Sequence, residues 1–140
     1  MRVFIDCEFN SYKGQLISMA LVAEDGREMY CQLPIDSAAV HPWVAENVMP
    51  VIGNAKMVAD TELPFEIEAF LSAYETVTLV ADWPDDARFF CEYLIIGPGV
   101  RVDTPPLTIE IIRDDAESAV PHNALHDARG IRDMVCGKGA

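Results

Sequence analysis

The stretch Val3-Phe4-Ile5-Asp6-Cys7-Glu8-Phe9 places two carboxylates in an otherwise apolar run. Read as a strand, it alternates its side chains between two faces, so Asp6 and Glu8 point one way and Cys7 the other. Two acids on one buried face repel, and an unpaired buried carboxylate is expensive, so such a pair persists when a cation sits between its members. A hard divalent metal is the simplest candidate. The competing reading is an edge strand that turns both acids to water, and seven residues alone leave both readings open.

With 140 residues, 51% of them hydrophobic, the chain has the length and apolar content of one ordinary domain. The expectation is a single domain over residues 1–136 and a short frayed tail over 137–140. The chain opens directly on a strand, without a basic segment leading an apolar one, and has no apolar run of membrane-spanning length. A soluble, cytoplasmic protein with no membrane partner is expected. Cys7, Cys31, Cys91 and Cys136 lie far apart with no Cys-x-x-Cys pair, and read as small core residues, not zinc ligands or a disulfide framework. The net charge of -13 argues against broad affinity for a nucleic-acid backbone, which binds chiefly through Lys and Arg. It leaves room for acids that hold metal ions, because bound cations reverse the local field. A small substrate footprint suits such a surface.

Residues 11–14 read as a turn, 15–23 as a mostly buried strand, Glu24-Asp25-Gly26 as a hairpin signal and 28–33 as a third strand. The N-terminal third is thus an antiparallel meander. Residues 41–48 read as a short helix with Pro42 in its first turn, where a missing N–H costs nothing. Residues 61–74 read as a second helix, with Phe65, Ala69, Phe70, Leu71 and Tyr74 at helical spacing. Trp43 and these aromatics read as core and not as a base-stacking platform, and His41 as an ordinary surface histidine. Residues 77–81 fit a buried strand, ended by Asp82-Trp83-Pro84-Asp85-Asp86. A helix begins there, with acids in its first turn suiting its dipole and Phe89, Phe90, Tyr93 and Leu94 as its apolar face. Gly97-Pro98-Gly99 stops it, 107–112 gives a last strand, and 121–135 the final helix. This order predicts an α/β fold: a mixed five-stranded sheet, three antiparallel N-terminal strands plus two parallel ones, with helices on its faces.

Acids meet a strand end or a helix start at three places: Asp6 with Glu8, the cluster from Asp82 to Asp86, and His122-Asn123-Ala124-Leu125-His126-Asp127. In an open sheet with parallel strands, ligands gather beyond the carboxyl ends of the strands, where the second cluster falls. Asp127 lies a turn or more into a helix entered at Pro121. His122 is then in the loop or first turn, a flexible entry that suits a proton shuttle.

These pieces resemble the DEDDh 3'-5' exonucleases of the ribonuclease H-like superfamily. That family's first motif, Asp-x-Glu, matches Asp6-Cys7-Glu8. Its second, an Asp opening a helix before an apolar pair, matches Asp86-Ala87-Arg88-Phe89-Phe90, in a form similar to that of oligoribonucleases. Its third, His, four residues, Asp, matches His122 to Asp127. His126 directly precedes Asp127, but the five-residue step selects His122, and Asn123 stands four residues before Asp127, which disfavours the Tyr subtype. Asp82 is the rival to Asp86, which is preferred because the apolar pair follows it at the family's spacing; Asp85 reads as a helix cap. The short chain, the Asp-Cys-Glu-Phe start and the stretch Pro42-Trp43-Val44-Ala45-Glu46-Asn47-Val48 look most like a small branch of bacterial and phage exoribonucleases.

The resemblance implies a ribonuclease H-like fold and release of nucleoside 5'-monophosphates from the 3' end of single-stranded or 3'-overhang RNA, or of DNA. Asp6, Glu8, Asp86 and Asp127 would hold two Mg2+ or Mn2+ ions. His122 would take the proton from the attacking water, a task to which imidazole is well matched. The resemblance also allows a homodimer, with the aromatics around Trp43 or Phe89 as candidate contacts. Arg88, Arg129 and Arg132, the nearest cations in sequence, read as solvated helix faces. Two rivals stand beside this reading: a ribonuclease H-type endonuclease, and a non-catalytic nuclease-like module that binds a nucleotide or a protein.

Overall fold

The run around Asp6 forms a strand with one antiparallel and one parallel neighbour in the computed structural model, which describes residues 1–113 and 116–137. In chain order the elements are β1 (Arg2–Phe9), β2 (Leu16–Ala23), β3 (Glu28–Gln32), α1 (Pro42–Asn47), β4 (Lys56–Met57), α2 (Leu63–Leu71), β5 (Val77–Ala81), α3 (Pro84–Leu94), β6 (Ile95–Gly97), β7 (Val100–Arg101), β8 (Leu107–Ile111) and α4 (Ala124–Cys136). The main sheet is mixed and six-stranded, in the order β4-β3-β2-β1-β5-β8. β1, β2 and β3 are antiparallel, while β5 runs parallel to β1, and β8 parallel to β5. The turn between β2 and β3 closes at Gly26, whose φ of 95° suits glycine.

The expected five strands become six because Lys56–Met57 adds itself beside Cys31 and Gln32. Both residues are exposed, so no apolar pattern marks them as a strand. α3 ends at Leu94, ahead of Gly97-Pro98-Gly99, which instead carries the bend of the small β6-β7 hairpin. α2 is shorter than its aromatic spacing predicts, and its buried stripe is Leu63, Ile67, Phe70 and Leu71. Phe65 falls off that stripe and is 52% exposed. Cys7 and Cys31 are core residues as expected, whereas Cys91 is exposed and Cys136 half-buried. Gly137 belongs to the end of α4, where its N–H donates to the Asp133 carbonyl oxygen; the rest of the expected tail, 138–140, lies outside the described residues. No helix among the described residues is long and apolar enough to cross a membrane.

Alternation along β1 separates its two layers. Val3, Ile5 and Cys7 pack with Leu63, Ile67 and Leu71 of α2 and with Phe89 and Phe90 of α3. Phe4 faces the other way, onto Val80 and Ile131 of α4, so Asp6 and Glu8 follow it onto the α4 side. α4 approaches closely because its contact is made of small residues, Ala124 and Ala128 against Ala20 and Val22. Asp127 falls in the same stripe, three residues after Ala124 and four before Ile131. The segment before α4 crosses that helix at Gly130, where a Cβ atom would lie 2.0 Å from the Glu117 carbonyl oxygen.

Gly130→Ala therefore sets an overpacking cost of about 1–3 kcal/mol against a helix-propensity gain of about 1 kcal/mol. A lower urea midpoint is expected, because backbone and not a flexible side chain must yield. An unchanged or higher midpoint would mean that the crossing segment moves aside freely.

Candidate metal centre

The last paired residues of β1 and β5 are Phe4 and Val80. Continuing that parallel register sets position 82 across from Asp6, just beyond the end of β5. The backbone of β1 then has no strand to bond on that side, and Asp86 supplies the acceptor: its Oδ1 accepts from the Cys7 N–H at 3.1 Å. Asp86 is 1% exposed and stands in the first turn of α3. Trp83, not Asp85, is the N-cap residue, and it makes no side-chain cap bond. Asp85 instead accepts from Trp83 Nε1 at 3.0 Å and from Arg88 Nε at 3.1 Å.

On the α4 side, Asn123 caps the helix, its side chain accepting from the His126 N–H at 3.0 Å. Its Nδ2 donates to the carbonyl oxygens of Val51 at 2.7 Å and Ile52 at 3.2 Å, and Tyr30 donates to the same Ile52 oxygen at 2.7 Å. The start of α4 is thereby tied to the segment after α1, with Asp127 in its first turn. His122, just ahead of the cap, is exposed and holds a φ of 68°, uncommon outside glycine. Its ring meets that of Trp43 edge-on, with centroids 5.1 Å apart. Trp43 is 51% exposed, so it is not the core residue its apolar character predicts. His41 does more than face water: its Nδ1 caps α1 by accepting from the Trp43 N–H.

The acids converge in two groups that share one member. Ligand oxygens of Asp6, Glu8 and Asp127 lie within 4.8 Å of one another, and so do those of Asp6, Asp82 and Asp86. A cleft of about 270 Å3 is lined by Asp6, Asp82, Asp127 and His122, with Ala116, Ser118 and Pro121. Burial, then the charges of Asp86 and Glu8, push the Asp6 carboxyl well above the usual carboxylate range. Burial and the neighbouring Asp127 push Glu8 up to about 9. Asp86 rises through burial and the charge of Asp82, against the lowering effect of the Cys7 N–H. Burial and the charge of Glu8 raise the Tyr30 phenol to about 12.

Two oxygens of this cluster, Asp6 Oδ2 and Asp86 Oδ2, are buried with no hydrogen-bond partner among the described residues, a rare state that calls for an explanation. Arginine does not provide it. Arg129 pairs with Glu28, Arg88 with Asp85 and Glu92, and Arg132 with Asp133. These acid groups could hold a metal ion, and an all-oxygen donor set suits a hard divalent cation.

The structure thus brings Asp6, Glu8, Asp86 and Asp127 together, and His122 lines the cleft with Asp6 and Asp127. Phe89 is buried against Phe9, so it offers no surface to a second chain. Asp82 is the residue that motif spacing sets aside and the parallel register restores. Asn123 is a second omission, although an Asn just ahead of an apolar helix is itself a cap signal. No protein-family model matches the chain, and no curated protein matches it.

Without metal, Glu8 titrates at about 9 in the fold against an ordinary 4.5. Between those values the folded chain binds more protons than the unfolded one, so the stability from this group is complete below about pH 4.5 and is lost as pH rises through 9. Asp6 and Asp86 are raised too and act in the same direction. In chelator, Tm is expected to fall from pH 5.5 to pH 8.5, and Glu8→Gln to flatten the fall. A Tm that rose over that interval would contradict the burial of these acids.

Proposed function

We propose that the chain is a metal-dependent 3'-5' exonuclease of ribonuclease H-like fold, acting on the 3' ends of single-stranded or overhanging RNA, with DNA as the alternative strand. The observation that carries this reading is Asp6, shared between two groups of three carboxylates beside a cleft that His122 also lines. The six-stranded mixed sheet, with α4 laid over the acidic side of β1, is compatible with such a fold. The three motifs in order extend the reading from metal binding to phosphodiester hydrolysis.

Asp6, Glu8, Asp86 and Asp127 are the proposed holders of two Mg2+ or Mn2+ ions. Such a pair supplies the charge that stabilises the entering and leaving oxygens of an in-line displacement. The protein's own part is to hold the acids and move a proton. The Cys7 N–H fixes Asp86, and the Asn123 cap fixes the turn that carries Asp127. His122, exposed on the cleft and steadied by Trp43, accepts the proton of the attacking water on an imidazole nitrogen. A small cleft on a chain of net charge -13 favours one strand end over a duplex.

The test is digestion of end-labelled 3'-overhang RNA and the matching DNA with Mn2+, Mg2+ or chelator. Stepwise, metal-dependent shortening from the 3' end is expected, and a blocked 3' end should protect the strand. Cutting of the blocked substrate would indicate an endonuclease, and no cutting with either metal would favour the binding module. Asp6→Asn should remove turnover while the metal-free protein melts no lower than the parent, since a buried carboxyl crowded by acids gives way to an amide of the same shape that never ionises. His122→Ala should lower turnover by about 10²–10⁴-fold with Mn2+ affinity retained; loss of that affinity would make the histidine a ligand.

A further inference from the structure

We infer that Asp82 and Asp86 act together with Asp6 as a second divalent-cation site, one that fills in the free protein without nucleic acid. The inference rests on the metal-dependent reading above and extends it by a fifth carboxylate. Donor supply is the reason. Asp86 has one oxygen committed to the Cys7 N–H, and only Oδ2 is left over, buried and without a hydrogen bond. Asp6 must serve both groups, and its own Oδ2 is likewise buried without a partner. With Asp86 and a shared Asp6 alone, an ion on this side would depend on a substrate phosphate to complete its oxygen shell. Asp82, whose oxygen lies within 4.8 Å of both others, gives this group the same number of carboxylates as the group of Asp6, Glu8 and Asp127.

Charge points the same way. Asp6, Glu8, Asp82, Asp86 and Asp127 converge on one cluster, and cation affinity at oxygen sites follows the number of charged ligands. Two divalent ions in this cluster supply the positive charge that a phosphodiester needs and that the acids themselves lack. Cations therefore load before nucleic acid, and the metal-free chain binds no strand end.

The experiment counts Mn2+ ions bound per full-length chain in the absence of nucleic acid, from the electron paramagnetic resonance signal of the free ion. The wild-type chain is expected to bind two. Asp82→Asn should keep one and weaken the other at least about tenfold, whereas Glu8→Gln should weaken the opposite one. Tm in chelator checks that each variant is folded, and Asp82→Ser repeats the count with a side chain of different shape. One ion on the wild-type chain, or two on both Asp82 variants at unchanged affinity, would overturn the site. Two ions on a chain that digests neither RNA nor DNA would retire the exonuclease and leave this site standing. One ion on an active exonuclease would do the reverse.

Discussion

Repulsion among carboxylates at the end of β1 is the constraint around which the other elements are arranged. Asp6 cannot relax by swinging away, because its strand is paired with β2 on one side and with β5 up to Phe4 on the other. The opposite face of the same strand keeps it in place. Val3, Ile5 and Cys7 are buried there, and each large aliphatic side chain so buried contributes about 1.5–3 kcal/mol. The acids are held together by apolar packing on the side of the sheet they do not face. A destabilised cluster on a strand with a sound core behind it can persist without a cation and gain strongly from one.

Helix dipoles do not remove the strain. Asp86 and Asp127 both sit in first turns, of α3 and α4, where a negative charge gains about 0.3–1 kcal/mol at an exposed site. That gain is small against the burial that raises Asp86 and Asp6 well above the usual carboxylate range. The dipoles and the Cys7 N–H therefore act as positioning devices, aiming carboxylates whose charge they do not neutralise. Arg88, Arg129 and Arg132, the arginines nearest in sequence, are paired with other acids and do not supply the compensating charge.

Much of this was legible in sequence. The period-two pattern of β1 put Asp6 and Glu8 on one face, Gly26 marked the β2-β3 hairpin, and Phe89, Phe90 and Leu94 marked the buried side of α3. Features without an apolar signature were hidden: Lys56–Met57 joins the sheet through backbone bonds alone, and β6 and β7 are short and largely exposed. Aromatic residues misled for a different reason. Hydrophobicity does not say which side of a short helix meets the protein, and α1 buries only Val44 while Trp43 turns toward His122. Asp82 and Asp86 looked like alternatives because a linear motif has one slot for an acid. A parallel register has room for both, one at the strand end and one a helical turn later.

The distribution of charge also bears on the length of nucleic acid that the proposed exonuclease would take. Besides the pairs already named, Arg2 is engaged by Glu24 and Lys56 by Glu66. These five side chains, half of the ten Lys and Arg in the chain, are therefore committed to acids instead of a phosphate backbone, which is where length-dependent affinity ordinarily originates. Attraction would be concentrated at the cations in the cleft and would fade within about 10 Å at 0.1 M salt. Phosphates beyond that distance meet only a screened negative surface. Each added nucleotide would then contribute little binding and a small penalty, so the acidity proposed to draw cations into the cleft would also favour strand ends over long substrates.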